Sequence, residues 1–262
     1  MFPYVALFSF LFFITACSKH KEGELRVGVT NGPHAIIAEH VQKLAEAKGI
    51  KVKLIAFDEF IQPNVALDAG DIDLNIYQHE PFLHEQMQSR GYAFASLGKA
   101  IILPLGIYGA DHVKSLKDIP RGAKALIPVD PTNSSRALKL LEAAGLIKLS
   151  NHINPMPKDL AQNALELKII EVEAPLLPRL LKDDADIAVI NADWVMVSGI
   201  DPNRALFKEG TDSPYANLFV VKQGREGDHN IQNFIALYQS DDVKQFIQKQ
   251  FKGAILPAAW KG

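Results

Sequence analysis

From Leu25 onward, short apolar runs take turns with longer stretches in which apolar residues recur at helical spacing. LRVGV at 25–29 reads as a strand, His34 to Lys48 as a helix stopped by Gly49, and VKLIAF at 52–57 as the next strand. Asn64 to Ala69 follows as a helix and Asp73 to Tyr77 as a short strand, after which Pro81 opens a helix running towards Arg90. AIILPLGIY, residues 100–108, is apolar but broken by Pro104, which suits an edge strand or a crossover better than a central strand. The pattern then restarts. AKALIPV is a strand, Ser134 to Ala144 a helix, Leu167 to Val172 a strand, Leu176 to Lys182 a helix, and IAVIN at 187–191 a strand. NLFVV at 217–221 is a further strand, followed by helices over Asn230 to Tyr238 and Asp242 to Phe251. No short-period repeat occurs, so a solenoid is disfavoured. Alternating strands and helices predict an α/β fold with sheets covered on both faces, and the two runs around AIILPLGIY predict two lobes. In such sheets, ligands sit at the carboxyl ends of the strands.

The 262 residues, 48% of them hydrophobic, supply ample core material, and a net charge of −2 gives no reason to expect a nucleic-acid partner. The amino-terminal end changes the picture more. The first eighteen residues carry no charged side chain, and Val5 to Ile14 is an apolar stretch too short to cross a bilayer unaided. It suits a signal-peptide core. It runs into Ile14-Thr15-Ala16-Cys17, and Cys17 is the single cysteine. An apolar residue, two small ones and a cysteine resemble the lipobox of bacterial lipoproteins. That resemblance implies a signal peptide at 1–16, lipid on Cys17 and a short charged tether over 17–24. The alternatives are a plain secretory signal or a buried N-terminal helix, and no Lys or Arg precedes the apolar core. The location implied is the bacterial cell envelope, outside the cytoplasm and periplasm-facing in a Gram-negative cell.

One stretch carries a local puzzle. DPTNSSRALKLL, residues 130–141, is a polar turn feeding a helix, with Thr132 to Ser134 all plausible N-caps. Arg136 is therefore expected in or near the first turn, where the helix dipole opposes a cation. A bound anion would resolve the conflict; so would a neighbouring acid such as Asp130.

Taken together, LRVGVTNGPHAIIAEHV, FDEFIQPNVAL, LNIYQHEPFL, IPVDPTNSSRALKLL, LKIIEVEAPLLPRLL, AVINADW and SPYANLFVV resemble the methionine-binding lipoproteins of bacterial ABC importers, from about Leu25 to the C-terminus. The resemblance implies a two-lobed, type II periplasmic-binding-protein-like fold. Lobe 1 is then expected over 25–106 and 221–262 and lobe 2 over 107–220, with the amino acid enclosed between them. It implies delivery of methionine to an ABC importer permease, with no catalysis and no cofactor. It also implies that Arg136 binds the ligand carboxylate, which the helix start and a bidentate guanidinium pair could hold. Asn191 and Asn217 match the family's asparagines at the polar end, where an amide both donates and accepts without adding charge. Phe60, Tyr77, His79 and Phe82 match the aromatic positions around the side chain, where a thioether gains about 0.3–1.5 kcal/mol per ring contact. For each of these residues the plain alternative is core packing or a turn. Phe60 and Phe82 stand where the family commonly has tyrosine, Val129 where it has Asn, Ser135 where it has Gly, and Asn31 where it has Pro. These departures are compatible with a modified ligand, such as D-methionine or a methionine-containing dipeptide.

The same residues bear on other functional classes. His79-Glu80 with His84 spells H-E-x-x-x-H, one residue longer than the zinc-protease pattern. Five residues turn by about 140° on a helix, so the two imidazoles would not share a face, and no metal is expected there. Neither a nucleophile elbow nor a P-loop motif is present. Glu171 and Glu173 share a strand face and are conceivable as a carboxylate pair, but a structural role flanking Ala174-Pro175 is the favoured reading. An envelope enzyme acting on an amino-acid-like substrate, or a structural or adhesive lipoprotein, remain the alternatives from other classes.

Overall fold

The computed structural model describes residues 23–210, 213–258 and 260. The expected signal segment 1–16, Cys17 and most of the tether lie outside the described residues. The first run of elements is β1 (Glu24–Thr30), α1 (Pro33–Glu46), β2 (Lys51–Phe57), α2 (Gln62–Ala69), β3 (Leu74–His79), α3 (Glu80–Arg90), β4 (Phe94–Lys99) and β5 (Ile101–Ile102). The second is β6 (Gly106–Gly109), β7 (Lys124–Pro128), α4 (Pro131–Ala143), β8 (Lys148–Leu149), β9 (Leu160–Gln162), β10 (Lys168–Val172), α5 (Leu177–Asp183), β11 (Ile187–Ile190), α6 (Ala192–Val197) and β12 (Phe207–Lys208). The chain then returns through β13 (Asn217–Lys222), α7 (His229–Tyr238), α8 (Asp241–Phe251) and β14 (Leu256–Pro257).

Two five-stranded sheets result, in the orders β2-β1-β3-β13-β4 and β10-β7-β11-β6-β12. In the first, β1, β2 and β3 are parallel while β13 runs antiparallel to β3 and β4. In the second, β7, β10 and β11 are parallel while β6 runs antiparallel to β11 and β12. The antiparallel strand next to the parallel set is, in each case, the strand that has just crossed from the other lobe. Pro104 falls between β5 and β6, at the outward crossing, in keeping with the crossover reading of AIILPLGIY. The return crossing lies earlier than the sequence division placed it. β13 pairs in the first sheet from Asn217, so residues 217–220 sit in lobe 1 and not in the lobe 2 portion expected up to 220.

Helices cover both faces of both sheets. Ile37, Ala38, Val41 and Ala45 form one face of α1 and are fully buried with Val27, Val29, Phe234 and Ile247 in the first lobe's main core. Each large aliphatic of this kind contributes about 1.5–3 kcal/mol on burial. The opposite face of that sheet packs Leu67, Ile72, Leu83 and Val220. In lobe 2, Ala137, Leu138 and Leu141 of α4 pack on one sheet face, and Leu177, Leu181, Trp194 and Val195 on the other. Central strands β3 and β11 are buried at every position; β11 accordingly reads as a continuous apolar run, whereas β3 buries Asn75, Gln78 and His79 as well.

The start of α4 differs from the sequence reading. Asp130 is the N-cap, its carboxylate accepting the Asn133 N–H at 2.9 Å, because Pro131 occupies the first helical position and the cap must precede it. Arg136 is thus in the second turn of α4, beyond the reach of most of the dipole's opposition.

Candidate functional site

A narrow cavity lies between the lobes, at the carboxyl ends of the parallel strands. Phe60, Tyr77, His79, Phe82, Arg136, Asn191 and Asn217, all singled out from the sequence, line it together. Leu103, Asn133 and Asp193 line it as well and were not singled out.

Its apolar end is a ring cluster. Phe60 lies 6.2 Å from Tyr77 and 6.3 Å from Phe82 between centroids, and Tyr77 lies 6.1 Å from Phe82. Trp194, from lobe 2, closes on Phe60 at 5.3 Å. These separations are those of edge and offset ring contacts, which leave π faces and edges available to a polarizable group.

His79 ends β3 and caps α3: its Nδ1 accepts the Phe82 N–H at 3.2 Å. Nε2 therefore carries the proton and donates to Asn133 Oδ1, 3.2 Å away on lobe 2. Burial, reinforced by the Arg136 charge, lowers its pKa to about 3, so the ring is neutral at physiological pH. With both nitrogens engaged, His79 has no lone pair left for a metal. The same Asn133 Oδ1 accepts from Asn191 Nδ2 at 3.0 Å, while Asn133 Nδ2 donates to Asp130. Asn133 thus ties the ends of β3 and β11 to the cap of α4. Behind β3, Asn64, Asn75 and Gln78 satisfy one another: Asn64 Nδ2 donates to Gln78 Oε1 at 2.9 Å and Gln78 Nε2 to Asn64 Oδ1 at 2.7 Å. The Q-P-N and Q-H pieces of the motif therefore brace the strand that presents Tyr77 and His79.

Arg136 is 4% exposed and does not hold an empty fork out to a ligand. Its Nε donates to Glu209 Oε1 at 2.7 Å and its Nη2 to Oε2 of the same carboxylate, with Nη2 also reaching Leu103 O at 3.1 Å. The Tyr215 ring stacks on the guanidinium, 4.4 Å from Cζ to centroid. The expected two-pronged pairing with a ligand carboxylate is thereby corrected. Glu209 takes that edge and resolves the charge puzzle, and among the described residues only Nη1 lacks a partner. Leu105 N–H donates to Glu209 Oε2 at 3.0 Å, so the pair is also held by the outward crossing.

Three polar atoms in and beside the cavity are buried without a partner among the described residues: Tyr77 Oη, Asn191 Oδ1 and Trp194 Nε1. Native proteins rarely leave such groups unsatisfied, and a bound molecule is one way to satisfy them. Asn217 Nδ2 donates to Tyr77 O at 2.6 Å, fixing the strand end beside the rings. The lobes meet again where α1 begins. His34 Nδ1 lies 2.8 Å from Asp193 Oδ1 on α6 and 2.9 Å from Thr30 Oγ1. A carboxylate only accepts, so Nδ1 carries the proton. Gly32, at φ 90°, permits this approach; a Cβ there would stand 3.1 Å from Val197 Cγ2 and 3.3 Å from Asp193 O.

Comparison with known proteins gives these features a context. The D-methionine-binding lipoprotein MetQ of Salmonella typhi is 41% identical over 235 residues, covering 87% of this chain and 86% of the relative. Outer membrane lipoprotein 3 of Mannheimia haemolytica is 38% identical, covering 96% of this chain and 95% of its own. The crystal structure of the methionine-binding protein MetQ superposes with a TM-score of 0.88 at 37% identity, covering 91% of this chain and 99% of that one. A nutrient-binding protein from Burkholderia cenocepacia, solved bound to methionine, gives 0.86 at 41% identity, covering 89% and 99%. The profile of the NlpA lipoproteins matches residues 25–259, and with this sequence likeness and this two-lobed α/β fold the chain belongs to the NlpA lipoprotein family.

Proposed function

We propose that this protein is a lipid-anchored solute-binding protein that encloses methionine between its lobes and delivers it to the permease of an ABC importer. The observation that carries this reading is one cavity with a cation at one end and a ring cluster at the other. A zwitterion with a thioether chain fits both ends. Arg136 Nη1 meets the carboxylate, Asn191 Oδ1 accepts from the ammonium, Asn217 secures the adjoining backbone, and Phe60, Tyr77, His79 and Phe82 surround the sulfur. Cys17 carries the lipid in this reading, which tethers the protein in the cell envelope outside the cytoplasm. Contacts from both lobes to one molecule favour the closed arrangement over an open one.

Mass spectrometry of the small molecules released on denaturing the purified protein tests the assignment, with titration calorimetry against L-methionine, D-methionine and methionine dipeptides. Methionine or a close derivative is expected in the released fraction and as a measurable heat. Turnover of an amino-acid-like compound would instead identify an envelope enzyme, and silence towards the whole panel would favour a structural or adhesive lipoprotein.

A further inference from the structure

Arg136 and Asp193 are the charged residues that line the cavity, His79 being held neutral. Their situations differ. Arg136 already has a carboxylate partner, since Glu209 occupies its Nε and Nη2. Asp193 has a side chain only 6% exposed, and its Oδ1 takes the His34 Nδ1–H from the opposite lobe. Among the described residues, its Oδ2 receives no hydrogen bond. The lining of the cavity therefore carries an internally compensated guanidinium and a carboxylate whose second oxygen awaits a donor. A carboxylate on a largely buried side chain, with one oxygen taken by His34 and the other free of protein donors and reachable by solvent, favours a cationic donor and disfavours an anion.

We propose that Asp193 is the residue that selects for a free amino group, its Oδ2 receiving the ligand's ammonium while His34 holds the carboxylate from lobe 1. This inference rests on the function proposed above and sharpens it, since it names the charge that a ligand must present. It makes the ammonium the stronger of the two polar requirements, because the ligand carboxylate meets a cation that Glu209 has largely neutralised. Amino acids and peptides with an N-terminal methionine satisfy the requirement; acids without the amine do not.

The test compares two ligands of nearly equal shape, L-methionine and its 2-hydroxy analogue, in which a hydroxyl replaces the ammonium and the net charge becomes negative. Calorimetry is run on the wild-type protein and on Asp193→Asn, whose amide oxygen can still accept the His34 proton and so preserves the contact between lobes. The substitution is expected to weaken L-methionine by at least roughly 30-fold, the lower end for truncating a buried charge pair. The same substitution should tighten the hydroxy analogue, because it removes a repulsion. Opposite signs for two ligands are not produced by a merely structural defect. Equal weakening of both ligands overturns the role of Asp193, as does no change in either. Wild-type protein that binds the hydroxy analogue as tightly as L-methionine overturns it without recourse to a variant. Wild-type protein that binds no methionine at all overturns the proposed function and this inference together.

Discussion

Replacing Arg136 with Ala should damage the apo protein as well as the site. The guanidinium and its Glu209 partner have side chains 4% and 11% exposed, and they share two hydrogen bonds. Removing one member leaves the other carboxylate buried and unmatched, a situation that costs about 3–5 kcal/mol. In a chain of this size each kcal/mol lowers the unfolding midpoint by roughly 2–4 °C, so a fall of about 6–20 °C is expected without ligand. The double variant Arg136→Met with Glu209→Gln removes both charges and keeps comparable volume. It should recover most of that loss, since well-packed replacements of a buried pair are often neutral. Ligand affinity should not return, because Nη1 is gone in both variants. Calorimetric unfolding of wild type, single and double variants, paired with methionine titration, separates the two effects. A single variant that melts with wild type would refute the buried-pair energetics. A double variant that regains affinity would remove Arg136 from the binding site.

Other expectations follow from the same geometry. The His79 pKa of about 3 lies below its unfolded value near 6.5, so the unfolded chain binds more protons between those limits; stability should fall as pH drops from 6.5 towards 3, and His79→Asn should flatten that slope in thermal melts at pH 4.5 and 7. Trp194 is one of two tryptophans and packs on Phe60, so methionine should change intrinsic fluorescence in a way that Trp194→Phe abolishes and Trp260→Phe preserves. Gly32→Ala places a Cβ against α6 from a left-handed backbone, and should cost about 1–3 kcal/mol in denaturant unfolding with weaker ligand binding. An unchanged midpoint there would show that the lobes do not meet as closely as described.

The sequence carried much of this fold because strands such as β11 and β13 are buried on both faces and therefore spell themselves out as apolar runs. LRVGV, IAVI and NLFVV each became a strand close to where the pattern put it. β4 was not anticipated, since FASLGK mixes Ser, Gly and Lys, as an edge strand with half its positions exposed can afford to do. Helix α6 has six residues, too few for a periodic signal. In the site, the motif residues line one cavity, with Tyr77, His79 and Asn191 at strand ends and Phe82 and Arg136 on the helices that follow. What pairs with them was invisible. Glu209 lies 73 residues from Arg136 and Asp193 lies 159 from His34, and no local pattern announces such partners. Asn133 carried a hint in D-P-T-N, but its use as a bridge between His79 and Asn191 emerges only once two strands from different sheets end side by side.

The guanidinium of residue 136 is fastened to both connecting segments of the chain: to Leu103 O on the way out and, through Glu209, to the way back. Among the described residues, those segments link the two halves of the molecule. In the function proposed above, a molecule that tugs on Nη1 would pull at the pivot itself, and recognition and the travel of the jaws would share one mechanical part.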